Sequence, residues 1–278
     1  MFRAIRNLIG GASRRRADYI HAGDDGVLIQ ESASEASEIA LRHFGQDPET
    51  WKKQNDSPVS RADIEVDEYL RGRLLDARPD YGWLSEETED DRARLGARSV
   101  FIVDPIDGTR AFLDGKDEFA IVIAVAENGR VVEGAVLAPQ RMEGFCGGAG
   151  MALMNGETLD MDEGPPLDEA RVLGRRKVFR ADQWEGPPPQ AKRGYLGSLA
   201  LQVCEVAAGR WDAAICLGSV NEWDVAGTAP VIEEAGGVLT DRHGAPLRFN
   251  QPDPRFDGMI AAPPRLHAEI VERLAPSR

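Results

Sequence analysis

The stretch 103–112, Val-Asp-Pro-Ile-Asp-Gly-Thr-Arg-Ala-Phe, constrains this chain more than any other. It follows Ser99-Val-Phe-Ile-Val103, an apolar run that reads as a buried strand. The strand is expected to stop at Asp104-Pro105, because proline cannot donate to a sheet ladder. Asp104 and Asp107 are thus delivered at the end of a rigid element, and Gly108 and Thr109 open a helix-like segment behind them. Backbone N–H groups in that first turn face outward, so an anion site adjoins a cation site.

Further acids stand at comparable points. Glu86 and Glu87 follow a short strand-like run, Asp63 opens a helical pattern, and Asp224 lies in Asn221-Glu-Trp-Asp224 at the start of another. Taken singly each has an ordinary reading: Asp-Gly as a turn, Glu-Glu as a solvated face, Asp63 and Asp224 as helix caps. Taken together they differ. Two carboxylates 4 Å apart repel by about 4 kcal/mol at an effective dielectric of about 20, so a converging cluster calls for cations. All-oxygen ligand sets select Mg²⁺, Mn²⁺ or Ca²⁺ rather than zinc. His21, His43, His243 and His267 lie outside these stretches, so histidine acid–base chemistry is not expected.

Composition narrows the classes. A formal net charge of −14 argues against a nucleic-acid surface. No apolar run approaches the roughly 20 residues of a membrane span. Cys146, Cys204 and Cys216 form no Cys-x-x-Cys, so neither a disulfide framework nor a zinc knuckle is expected, and a reducing cytoplasmic setting is the default. Residues 1–25, with Arg3, Arg6, Arg14, Arg15 and Arg16, read as a mobile basic tail, with a targeting segment or an anionic-surface contact as the alternatives.

Helical spacing marks residues 34–44 and 63–75, the second closed by Pro79. Residues 119–126 and 131–137 form two β-rich runs with Asn128-Gly129 between them, a hairpin signal, and residues 144–158 read as a further strand or hairpin. Beyond these the pattern alternates: helix 199–208, strand 212–217, helix 223–235 stopped by Gly236-Gly237, strands 237–241 and 257–262, and helix 266–274. The class is α/β, with an α+β half at 26–150 and an α/β half at 151–278.

Glu86-Glu87, Asp104-Pro-Ile-Asp-Gly-Thr109 and Trp223-Asp-Val-Ala-Gly227 resemble the three signature motifs of the inositol monophosphatase superfamily in order and spacing. The stretch 53–63 is similar to its N-terminal motif, and Gly236-Gly237 fits as well. The resemblance covers roughly residues 33–275 and implies a layered α/β/α/β/α sandwich. It also implies a Mg²⁺-dependent, lithium-sensitive phosphomonoesterase, acting as a homodimer on a small phosphorylated metabolite. Mn²⁺ would be a substitute, with Li⁺ and Ca²⁺ inhibitory. Carried over by motif, Glu86, Asp104 and the Ile106 carbonyl would hold a first metal. Asp104, Asp107 and Asp224 would hold a second, and Glu86 would help place a third. Asp63 and Thr109 would activate water. Gly108, Thr109, Arg110, Ser198 and Asp224 would contact substrate.

The substrate signals conflict. The stretch 217–224 resembles the approach found in 3'(2'),5'-bisphosphate nucleotidases, which favours 3'-phosphoadenosine 5'-phosphate. Cys216 falls near where inositol monophosphatases carry a sugar-binding Glu, and a thiol cannot accept hydroxyl hydrogen bonds as a carboxylate does. Against this, Gly197-Ser-Leu-Ala-Leu-Gln202 lacks the nucleotidase Lys and looks like the inositol type. Histidinol phosphate stays open, since Asp-Gly-Thr-Arg-Ala-Phe also occurs in such relatives. Arg110 either pairs with a second phosphate or faces solvent. Two rival classes stand beside this reading. A haloacid-dehalogenase phosphatase would need Asp-x-Asp-Gly-Thr near its N-terminus, a spacing absent here. A regulatory binding protein would keep the fold without turnover.

Overall fold

The computed structural model describes residues 24–46, 48–52 and 58–275. Most of the expected basic tail lies outside these residues. Its last two, Asp24 and Asp25, belong to the first helix, α1 (Asp24–His43), where acids favour the N-terminal dipole. α1 packs against α2 (Arg61–Ala77), which follows a small hairpin of β1 (Thr50–Lys52) and β2 (Pro58–Ser60).

The two helices cover one face of a seven-stranded sheet, in the order β3 (Gly82–Ser85), β4 (Ser99–Asp107), β5 (Ala120–Glu127), β6 (Arg130–Ala138), β7 (Glu143–Gly148), β8 (Met151–Met154) and β9 (Glu157–Thr158). Every residue of β4 is buried, because both faces of the sheet are covered. Phe101, Val103, Ile121 and Ile123 pack beneath α1 and α2. Val100, Ile102, Val122 and Ala124 point the other way, toward α4 (Leu199–Ala207) and α6 (Ala229–Glu234). The 127–130 turn is as expected, with Asn128 and Gly129 both at positive φ.

A second sheet, ordered β11 (Lys192–Gly194), β10 (Arg171–Leu173), β12 (Ala213–Asn221), β14 (Arg255–Ala262) and β13 (Val238–Thr240), closes the far side of α4 and α6. It is mixed: β10 runs parallel to β11 and β12, while β14 is antiparallel to both its neighbours. Its outer face buries Ile215, Ile260 and Ala262 against Leu266 and Ile270 of α7 (Pro264–Arg273). The layers therefore read α/β/α/β/α. The change of sheet falls between Thr158 and Arg171, whereas residue 150 lies in the β7–β8 turn.

Two expectations about local structure are corrected. β4 does not stop at Asp104; it continues to Asp107 through a register shift that leaves 105–106 out of the ladder, so Pro105 owes no hydrogen bond. Helix 223–235 is broken into α5 (Glu222–Val225), a 3₁₀ turn Ala226–Thr228, and α6. That turn sits directly on the first sheet. A Cβ on Gly227 would meet Val122 Cγ1 at 2.7 Å, and one on Gly134 would meet the Gly227 carbonyl oxygen at 2.4 Å. This close approach sets Asp224 beside the end of β4.

Candidate active site

Each acid of the site is tied to the backbone by one carboxylate oxygen. Asp104 Oδ1 accepts the Ile106 N–H at 3.1 Å across the bulge. Asp107 Oδ2 accepts the Ala200 N–H at 2.7 Å and the Ser198 hydroxyl, both at the start of α4. Asp224 Oδ2 accepts the Asn221 N–H at 2.8 Å and its side-chain amide at 3.3 Å. Asp63 Oδ2 accepts the Ser60 N–H at 2.8 Å and its hydroxyl at 2.6 Å. The last two are third residues of capping boxes, the reciprocal lock that fixes a helix start.

The outcome is convergence. Asp104, Asp107 and Asp224 present carboxylate oxygens within 4.8 Å of one another. Asp104 is 1% exposed and Asp107 7%. Burial pushes Asp104 well above the usual carboxylate range, and the charges of Glu86, Asp107 and Asp224 push it further. Asp224 rises in the same way, by burial and then by Asp107. Asp107 is pushed up to about 6 by burial, with the Ser198 hydroxyl and the Ala200 N–H opposing. A largely buried all-oxygen donor set that resists carrying its own charge fits a hard divalent cation.

Thr109 stands beside the triad. Its hydroxyl lies 3.2 Å from Asp63 Oδ1 and 3.2 Å from the Ile106 carbonyl oxygen. Asp63 itself is pushed up to about 6 by burial, with Ser60 opposing. Gly108 turns the chain at φ +93°, and a Cβ there would meet the Glu118 carbonyl oxygen at 2.6 Å. It opens α3 (Thr109–Leu113), pinned by Phe112 edge-on to Phe119 at 5.0 Å. Asp104, Asp107, Gly108, Thr109 and Asp224 line a cleft of about 570 Å³ that also takes in Glu86 and Arg110.

The model of the inositol monophosphatase family matches residues 26–277. The chain belongs to the inositol monophosphatase family. An inositol-1-monophosphatase of Rhizobium meliloti is 32% identical over 231 residues, covering 78% of this chain and 85% of the relative. A 3'-phosphoadenosine 5'-phosphate phosphatase of Mycobacterium bovis is 33% identical over 213 residues, covering 71% and 74%. The solved structure of the extragenic suppressor protein suhB from Bartonella henselae superposes with a TM-score of 0.76 at 25% identity, over 88% of this chain and 96% of that one.

Within this family phosphatase the expected residues divide into three groups. Asp104, Asp107 and Asp224 form the compact triad, and the Asp63–Thr109 pair adjoins it. Glu86, Gly108 and Arg110 share the cleft, but Glu86 is outside the triad. Ser198, expected against substrate, is instead fully buried; it orients Asp107 and caps α4 by accepting the Leu201 N–H at 3.0 Å. Ile106 is buried as well, leaving only its carbonyl to serve the site.

Sequence reading missed the supports. Asp67, buried on α2, takes the Ser85 hydroxyl and, at 2.6 Å, the Thr88 hydroxyl, so it anchors both ends of the Glu86-Glu87 segment. Ser60 and Asn221 were also missed, although Ser-x-x-Asp and Asn-x-x-Asp three residues ahead of a helical run are readable signals. Arg175, Lys177 and Tyr195 line the space next to the triad, and nothing in their local pattern announces it.

Proposed function

We propose that this protein hydrolyses a phosphate monoester with Mg²⁺ as cofactor, and that 3'-phosphoadenosine 5'-phosphate is the preferred substrate. The convergence of Asp104, Asp107 and Asp224 beside the Asp63–Thr109 pair carries the first part. That triad, with Glu86 and the Ile106 carbonyl, would hold divalent cations, which would supply the charge neutralisation and acidified water that phosphoryl transfer requires.

The chain's own groups do the rest. Ser60 fixes one oxygen of Asp63 and leaves the other for the Thr109 hydroxyl. With its proton directed to Asp63, Thr109 offers a lone pair to a hydrogen of the attacking water and aligns it. Asp63 then serves as the terminal acceptor for that proton. The Gly108 and Thr109 N–H groups, in a helical first turn without intrahelical partners, face the phosphate oxygens. Ser198 and Ala200 keep Asp107 from swinging.

The nucleotide preference rests on a narrower observation. Cys216, not a carboxylate, lines the space beyond the triad, and a thiol at that position cannot bind a polyol's vicinal hydroxyls as a carboxylate would. The relative named as a 3'-phosphoadenosine 5'-phosphate phosphatase is in keeping with this. Phosphate release with Mg²⁺ should be compared for 3'-phosphoadenosine 5'-phosphate, inositol 1-phosphate and histidinol phosphate, with and without Li⁺. The nucleotide should be hydrolysed fastest, and Li⁺ should suppress it. Preference for either other ester would overturn the nucleotide assignment alone. No turnover of any, with Mg²⁺ bound, would favour the binding-protein reading.

A further inference from the structure

A second lobe of about 380 Å³ opens from the catalytic cleft and shares Asp107, Arg175, Tyr195, Gly197 and Asp224 with it. We infer that Arg175 and Lys177 form a second-anion subsite in this lobe, so that the preferred substrate class is phosphate monoesters carrying another anionic group. The inference rests on the phosphatase reading above and deepens it.

Both cations sit where β10 leaves the second sheet, at the 3₁₀ turn Arg176–Phe179. Both are exposed, and among the described residues neither side chain makes a hydrogen bond or an ion pair. Other partly exposed arginines behave differently: Arg171 and Arg210 each hold a carboxylate oxygen at 2.7 Å. The acids lining the lobe are Asp107 and Asp224, both already committed to the triad. Once a cation offsets those two, the field left in the lobe is that of Arg175 and Lys177.

The opposite wall is uncharged. It is formed by residues 215–219, where β12 slips register against β14 between Cys216 and Ser219. Burial pushes the Cys216 thiol up, so it adds no negative charge. Tyr195, 48% exposed, stands at the junction of cleft and lobe, where its ring can face a planar group. The reacting phosphate would lie over the triad, the planar group by Tyr195, and the second anion between Arg175 and Lys177. Arg110 and Lys116 are the rival cations, but their end of the cleft is shared with Asp114 and Glu118, and Lys116 already pairs with Asp114 at 3.1 Å.

The test compares two substrates that differ only in the second anion, 3'-phosphoadenosine 5'-phosphate and adenosine 3'-phosphate. Wild-type kcat/KM should favour the bisphosphate by about 10- to 100-fold, the range of one or two charge-assisted hydrogen bonds. The double variant R175Q/K177Q should lose most of that preference through KM, with the monophosphate changing far less. Circular dichroism and thermal melting serve as the check on folding. Equal losses on both substrates, an unchanged preference, or loss of the preference in R110Q instead would overturn the subsite while leaving the phosphatase reading intact. If no phosphate ester releases phosphate with Mg²⁺, the phosphatase reading itself has failed, and the subsite falls with it.

Discussion

The acid cleft and the cationic lobe share a wall but are built in opposite ways. At the acid site, Asp104, Asp107 and Asp224, and Asp63 behind Thr109, are each pinned by a backbone N–H, and Asp63, Asp104 and Asp107 are buried. In the lobe, Arg175, Lys177 and Tyr195 are exposed, and the side chains of the two cations make no hydrogen bond or ion pair among the described residues. On the proposed reading, the contrast separates chemistry from selectivity. Groups that must converge against their own repulsion are held by main chain, which cannot relax away. Groups that only recognise a ligand's far end are left on long, solvated side chains whose loss the fold would scarcely register.

The contrast is broken most severely at Asp107. Asp107→Asn should keep the fold and cost about 10²–10³ or more in rate, the scale of losing a preorganised electrostatic group. Near-wild-type turnover at saturating Mg²⁺ would sink the triad's assignment. Without metal the same change should stabilise. Asp107 is pushed up to about 6, above the ordinary value near 4, so its burial is tolerated at low pH and opposes folding as pH rises through about 6. Melting in chelator should therefore drop between pH 5 and pH 8 in the wild type, and drop less in D107N. An identical pH dependence in both would show that Asp107 does not titrate there.

Thr109→Ala comes next. It should lower kcat about 10- to 100-fold with little change in KM, if the hydroxyl aligns water rather than binding substrate. A rise in KM at constant kcat would reverse the roles. The smallest effects sharpen the comparison through stability. Ser60→Ala removes a capping partner and should cost about 1 kcal/mol in denaturant unfolding. Arg175→Gln should stay within about 0.5 kcal/mol, as an exposed side chain does. Comparable losses in both would mean that the lobe, too, is part of the structural frame.

Much of this was readable before the fold. Apolar periodicity gave the main helices and strands, and Asn128-Gly129 gave the hairpin turn. Motif spacing identified the family, and it named the three aspartates that now lie together. These features are legible because each is local: a period, a turn dipeptide or a carboxylate at a strand end. The errors have a common origin in long-range contact. β4 runs through Pro105 because a bulge against β5 absorbs the missing donor. The 223–235 helix breaks where Gly227 presses on β5 and β6. Ser198 turns inward because Asp107, 91 residues away in the chain, needs its hydroxyl.

Sequence alone determined which side chains are candidates for the chemistry, since carboxylates, glycine and threonine are chosen for properties they have as single residues. Tertiary structure decided which of those carboxylates converge, which hydroxyls support them and which cations look onto the same space. Those are questions of distance between remote segments. Asp104, Asp107 and Asp224 span about 120 positions of the chain, and only the packing of two sheets around α4 and α6 brings them together.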